Sequence, residues 1–374
     1  MYQIPKIQNL HIELSTKCNA NCPVCNRNFN GGPLIPDLEL TELTLADIQQ
    51  MFPVEILENL KFINHCGTRG DPGMARDLLE ILKYFQNASV HDLQQHVRTN
   101  AGMRDPKFWA EVGEFFNTLP RHYSRDPFSC NGVVFSVDGL EDTNHIYRRG
   151  VIWRKVKENM EAYASTGAPG VWEWLLFDHN AHQVEEARKI AEELGLIFVV
   201  KNPIGFEFEA PRIVVFNKKR EFDYTIWPAN YTGPRDFPIP PLNEDMVTNH
   251  IYKGPDHINT KITCKSLNGP RQEIYVSAEG YLVPCCYIGG IFGRPHATFA
   301  RQQLFEKMQS TGMEKFDLKK TSMLDMLQGP EFSNFFKNGW EDKSIHDGKL
   351  LYCVETTEMT EIELWVLRLI SKVM

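Results

Sequence analysis

The chain has 374 residues, with 40 Lys and Arg against 48 Asp and Glu, a formal charge of -8, and a pI near 5.9. That field repels phosphate backbones, which counts against nucleic acid as a partner but leaves room for a local basic pocket. A composition 42% hydrophobic and 24% charged is that of a globular protein with core enough for two or three domains. No apolar run approaches the roughly 18 residues of a membrane span, and Met1 to Lys6 shows no signal-peptide core. Nine cysteines, mostly in an early and a late group, read as metal ligands in a reducing, cytoplasmic setting.

Ile7 to Thr16 is apolar and β-prone. It runs into a polar loop, Ser15 to Phe29, that carries Cys18, Cys22 and Cys25 in a C-x3-C-x2-C triplet. Leu45 to Met51 has helical spacing, with Thr41 or Thr44 as its cap. Leu60 to Asn64 reads as a buried strand ending in the glycine-rich turn His65 to Pro72, and Met74 to Phe85 as an amphipathic helix. His96 to Thr99 is a third strand ending at Asn100. Pro106 to Phe116 is a helix capped by Asp105. Gly132 to Val137, Val171 to Phe177 and Ile197 to Val200 complete six strands, separated by helices over Ile152 to Ala164 and His182 to Leu194. Strand–helix alternation with short loops predicts a parallel sheet with helices outside it, as six units of an open barrel whose chemistry gathers at the C-terminal strand ends.

After Asn202 this pattern stops. From about Pro203 to Ile262 the chain is rich in Pro, Asn, Gly and aromatics without a clear period, and reads as a bridge wrapping to a second domain. Gln272 to Val276 and Tyr281 to Val283 form a hairpin turned at Ala278-Glu-Gly280. Helices follow near Arg301 to Met308, Ser322 to Leu327 and Glu331 to Lys337, with a last one over Glu361 to Val373. The expected divisions are 1–202 for the barrel, 203–262 for the bridge and 263–374 for a smaller α+β domain.

Three thiolates on so short a loop can converge on one soft metal centre. An odd count argues against disulfides, and a closed zinc site lacks a fourth ligand at ribbon or finger spacing. With its place at the end of a first strand, this triplet resembles that of the radical S-adenosylmethionine (SAM) enzymes. The resemblance implies a [4Fe-4S] cluster on Cys18, Cys22 and Cys25, with one iron left open for SAM. Gly70-Asp71-Pro72 resembles the family's glycine-rich motif, with Asp71 where Glu is usual. That implies contact with the SAM ammonium, chemistry that suits a carboxylate and open carbonyls. Thr99-Asn100, Ser136, Asp138 and Asn180 fall at later strand ends, where the family reads the ribose and methionine groups of SAM.

The late group, Cys264, then Gly280-x4-Cys285, then Cys353, resembles the SPASM/twitch auxiliary-cluster region. It implies a twitch-type domain with Cys264, Cys285 and Cys353 as ligands of an auxiliary iron–sulfur cluster. Alternation at a strand end sends Cys285 and Cys286 to opposite faces, and the resemblance implies that Cys285 is the one facing the cluster. The fourth position is then open, or closed by Glu355, Thr357 or water; a thiol set holding zinc is the other outcome. Cys130 reads as structural. Cys66, His65, Arg69, His179 and Lys201 read as rim residues at strand ends.

The fold class expected is α/β, a partial (β/α)6 TIM-like barrel followed by a twitch-type domain. The implied activity is oxidoreductase-like radical chemistry on a peptide or small molecule, with a flavodoxin- or ferredoxin-type electron donor. A first strand at Ile7 leaves no room before it for a leader-binding domain, which weighs against the peptide. The rival from another class is a non-catalytic iron–sulfur or zinc protein.

Overall fold

The computed structural model describes residues 2–36, 38–121, 131–203, 206, 211–239, 262–292, 299–341, 349, 350 and 353. Six strands lie parallel in chain order: β1 (Ile7–Ile12), β2 (Phe62–His65), β3 (Gln94–Thr99), β4 (Gly132–Ser136), β5 (Gly170–Leu175) and β6 (Ile197–Lys201). The crossovers carry α1 (Leu45–Met51), α2 (Val54–Leu57), α3 (Leu78–Ala88), α4 (Pro106–Asn117), α5 (Asn144–Tyr147), α6 (Trp153–Ala164) and α7 (Val184–Glu193). Local chemistry sets the helix starts. Thr44 and Asp47 form a reciprocal capping box at α1, and Asp105 accepts from the Phe108 N–H with Pro106 in the first turn of α4. The architecture is the expected α/β partial barrel.

The structure departs from the sequence expectation at three places. The late hairpin, β9 (Gln272–Val276) and β10 (Leu282–Val283), is not confined to a separate domain. Strand β9 pairs parallel with β1, so the sheet runs β10-β9-β1-β2-β3-β4-β5-β6. Second, part of the stretch read as aperiodic is an antiparallel hairpin, β7 (Ile213–Phe216) and β8 (Phe222–Ile226). Its signal was present as two β-prone runs around Asn217-Lys-Lys-Arg220, with Arg220 left-handed at φ 66. This hairpin leans on the cysteine loop: Phe216 N–H donates to the Asn30 carbonyl at 3.0 Å, and Arg149 pairs with Asp223 at 2.9 Å. Third, α3 begins at Leu78, because Asp71 accepts from the Gly73 N–H and caps a separate turn over Pro72–Met74.

Strand alternation divides the sheet into two unlike faces. Ile12, Ile63, Val97, Phe135, Trp172 and Trp174 are fully buried beneath the helices and form the main core. The opposite, inner face carries His11, Glu13, Cys66, Arg98, Ser136 and Glu173. Later in the chain come α8 (Lys265–Asn268), α9 (Cys286–Gly289), α10 (Phe299–Thr311), α11 (Met323–Gln328) and α12 (Pro330–Glu341). Phe316 packs there against Phe332, Phe335 and Phe336. Cys130, Phe208, residues 240–261, Glu355, Thr357 and the helix expected over Glu361 to Val373 lie outside the described residues. Among the described residues no helix is long and apolar enough to cross a membrane.

Glu13, just past β1, is fully buried. Its Oε1 accepts from the backbone N–H groups of Arg69 at 2.6 Å and Gly70 at 3.0 Å. Its Oε2 accepts from Arg69 Nη2, the Tyr275 hydroxyl and Thr68 Oγ1 at 3.0, 3.0 and 3.2 Å. Arg69 also pairs with Glu279 in the β9–β10 turn. Removing one partner of a buried pair strands the other charge. Glu13→Ala is therefore expected to lose about 3 kcal/mol or more of unfolding free energy in urea, and Glu279→Ala, nearer the surface, clearly less. Equal losses would show that Glu13 is not the anchor.

Burial holds the imidazoles of His11 and His65 down from the ordinary 6.5 to about 4. His11 Nε2 donates to the Cys66 carbonyl at 2.8 Å, and His65 Nε2 faces the Gln95 amide oxygen at 3.0 Å. A folded-state pKa below the unfolded one gives stability that is full above about 6.5 and is lost as pH falls toward 4. Urea unfolding at pH 5 is expected to give a smaller free energy than at pH 7, by up to about 2 kcal/mol for each ring. An unchanged value would mean that neither imidazole is held neutral.

Candidate functional site

Cys18, Cys22 and Cys25 line one cavity of about 340 Å³ at the C-terminal ends of the barrel strands, shared with Gly70, Asp71, Thr99, Asn100 and Ser136. The chain is held there by its own backbone. Arg27, 3% exposed, donates to the carbonyls of Thr16 and Arg69, tying the cysteine loop to the glycine-rich loop. Gly70 packs so closely on the start of the cysteine loop that any Cβ would strike the Ser15 carbonyl, so only glycine fits. The thiols receive N–H groups. Ala20 N–H and Asn100 Nδ2 lie 3.3 and 3.5 Å from Cys18 Sγ, and Arg148 Nη1 lies 3.8 Å from Cys22 Sγ. Such donors favour a thiolate. Burial pushes the other way, raising the Cys25 and Cys66 thiols to about 11.

Asp71 has both carboxylate oxygens engaged. Oδ1 accepts from Gly73 N–H at 2.9 Å and Oδ2 from Asn100 N–H at 2.8 Å. It therefore joins the second and third strand loops as well as facing the cavity. Asp138 and Asn180, expected at the site, do not line this cavity. The Asp138 carboxylate accepts from Leu175 N–H and Arg148 Nε, each at 2.6 Å. The Asn180 amide donates to the carbonyls of Asp138 and Leu175 at 2.8 and 2.9 Å, and its oxygen accepts from Phe177 N–H at 2.8 Å. Both side chains are consumed in fixing the ends of β4 and β5. Asp138 reaches the cavity only through Arg148.

Sequence reasoning missed Arg27, Arg98, Arg148 and Glu173. Glu173 is the one charge in the strand Gly-Val-Trp-Glu-Trp-Leu, a signal that was available. It meets Arg98 at 2.7 Å and Lys201 at 2.9 Å. Burial alone would raise its carboxyl, but the two cations hold it below the usual range. Arg98, Glu173 and Cys66 line the same cavity as the three thiols. His65 is turned to the helix side, against Phe85, and Arg69 is used in the Glu13 network. His179 stacks on Phe177 beside a different pocket.

A second cavity, of about 220 Å³, is lined by Cys264, Cys285, Cys286 and Cys353, with Glu273 and Trp340. Here the alternation argument fails. Cys285 is extended at φ -155 and ψ 164, but Cys286 is the first residue of α9. The change from strand to helix turns Cys286 back onto the cavity instead of away from it. Among the described residues, no three His, Cys, Asp or Glu side chains are grouped to hold a single metal ion. The donors at both cavities are cysteines, with no histidine among the described residues lining either one, a soft donor set that suits an iron–sulfur cluster.

No family model and no curated protein sequence matches the chain. In three dimensions it is similar to SuiB of Streptococcus suis bound to S-adenosylmethionine, at 13% identity and TM-score 0.44, covering 76% of this chain and 61% of SuiB. SuiB bound to the precursor peptide SuiA gives 12% identity and TM-score 0.48 over 88% of this chain and 66% of SuiB. Native anSMEcpe with bound AdoMet gives 14% and 0.45 over 87% of this chain and 82% of that one. The chain thus spans less than two thirds of the length of SuiB.

Replacing Asp71 by Ala removes acceptors for two buried N–H groups and a charge from the cavity wall. SAM binding, measured by calorimetry on the iron-loaded protein, is expected to weaken by tenfold or more, as for a lost charge-assisted hydrogen bond of about 1.5–3 kcal/mol. Iron content should stay near wild type. An unchanged dissociation constant would show that the loop's shape and charge do not matter to SAM.

Proposed function

We propose that this chain is a radical SAM enzyme of the SPASM/twitch kind. The observation that carries the reading is the convergence of Cys18, Cys22, Cys25, Gly70, Asp71, Asn100 and Ser136 on one cavity, from the ends of four different strands. Three thiols fit a [4Fe-4S] cluster with one iron left for SAM. When bound, that group passes one electron from a flavodoxin- or ferredoxin-type donor to the SAM sulfonium, which breaks a C–S bond and gives methionine and a 5′-deoxyadenosyl radical that takes a hydrogen atom from substrate.

The chain's residues have separable tasks. Asp71 and the carbonyls beside Gly70 face the SAM ammonium. Asn100 and Ser136 offer amide and hydroxyl groups to the sugar, with Thr99 beside them. The Arg148 guanidinium, held by Asp138, offers a cation to the methionine carboxylate. Asp138 and Asn180 act as positioning residues. The Arg98–Glu173–Lys201 ladder sits where substrate enters, and suits a polar substrate with both donors and acceptors, a peptide segment or a small zwitterion. Cys264, Cys285 and Cys353 hold an auxiliary iron–sulfur cluster. The donor set, soft thiols without competing histidines, is the feature that supports both assignments.

The test uses protein reconstituted with iron and sulfide and then reduced. The wild type is expected to form methionine and 5′-deoxyadenosine from SAM. A Cys18/Cys22/Cys25→Ala variant should lose all of that activity and part of the visible absorption. Cleavage that survives in the variant would overturn the site. A wild type that carries iron yet never cleaves SAM would favour an electron-carrying protein instead.

A further inference from the structure

We infer that Cys286 supplies the fourth thiolate of the second cavity, so that its cluster is closed by four cysteines and substrate does not bind to it. This rests on the auxiliary-cluster reading proposed above. Four observations lead to it. All four cysteines line the same cavity of about 220 Å³. The turn from an extended Cys285 into α9 gives neighbouring residues a common target, which a strand could not do. The cavity wall offers Glu273 and Ser266 as the other donors, and iron–sulfur clusters take thiolate in preference to hard oxygen. Finally, Cys286 and Cys66 lie close enough for their charges to interact, and Cys66 lines the first cavity.

The direction of α9 gives that fourth corner a role. Any side chain at Gly289 would run into the Tyr275 ring, and a Cβ at Gly290 would lie 3.5 Å from Asn26 Nδ2. Tyr275 stands edge-on to His11, which places α9 on the barrel's inner face. Its first residue is therefore at the auxiliary cavity and its end beside the loop of Cys25. With Cys264, Cys285, Cys286 and Cys353 as its ligands, a cluster there would supply electron exchange toward the barrel from the Cys286 corner, with no iron left open for substrate.

The test begins with the full chain in a Cys18/Cys22/Cys25→Ala background, reconstituted anaerobically. This protein should keep about four irons and four sulfides. Binding no iron, or one zinc, would overturn the auxiliary-cluster reading itself before Cys286 is in question. Adding Cys286→Ala should lower the count to about three irons or fewer, and Cys286→Ser should keep iron but shift the Mössbauer and EPR spectra. Four irons with unchanged spectra in both variants would overturn the inference while leaving the cluster in place. A second measurement needs no variant to fold. In the wild-type holoprotein, iodoacetamide should spare Cys264, Cys285, Cys286 and Cys353, and label all four after chelator treatment. Labelling of Cys286 alone in the holoprotein would also overturn it.

Discussion

A single buried carboxylate holds three separate parts of this molecule in register. Glu13 stands between β1 and the cysteine loop. It receives the N–H groups of Arg69 and Gly70 from the second strand loop, and the Tyr275 hydroxyl from a strand more than 260 residues away. The cost of desolvating Glu13 and Arg69 offsets much of their attraction, so the pair adds little net stability over an apolar substitute. Its contribution is geometric. The glycine-rich loop cannot shift without leaving a buried anion unpaired, and β9 cannot slip along β1 without withdrawing Tyr275. Asp71 repeats the device one loop further on, by accepting from Asn100. Two carboxylates thus connect β1, β2, β3 and β9, and the cavity walls hang from those connections.

The same constraint explains where the core is. A barrel filled with aliphatic side chains has no room for a substrate. Here the apolar residues lie outside, between strands and helices, and the inner face carries ions. Those ions are mutually satisfied: Arg98 and Lys201 share Glu173, and Arg148 is held by Asp138. Fixed dipoles and charges of this sort are already oriented before a ligand arrives, so binding costs little reorganisation.

What could be read from the sequence was local. Helix caps at Thr44 and Asp105, the alternation of strands and helices, and the thiol spacing all depend on residues within a turn or two of each other. The contacts that finish the site do not. Arg148 meets Cys22 across 126 positions, and Arg98 meets Glu173 across 75. No periodicity reports either. The β1–β9 pairing was hidden for the same reason, since β9 reads alike as a free hairpin or an added strand. Cys286 was misjudged by a rule that was sound but misplaced. Period-two alternation holds only while both residues are extended, and the chain leaves the strand between Cys285 and Cys286.

That last point ties the two cavities together. Four helical residues span about 6 Å, and α9 covers that length between a thiol of one cavity and the neighbour of Cys25 in the other. Cys66, in the wall of the first cavity, is near enough to Cys286 for their charges to interact. On the proposed reading, one set of cysteines would serve SAM and the other, closed by Cys286, would exchange electrons without bonding to substrate. That arrangement requires the hairpin β9–β10 to stay docked on β1. Glu13 and Arg69 hold that docking through Tyr275 and Glu279, so the buried ion pair also fixes how the two cavities are spaced.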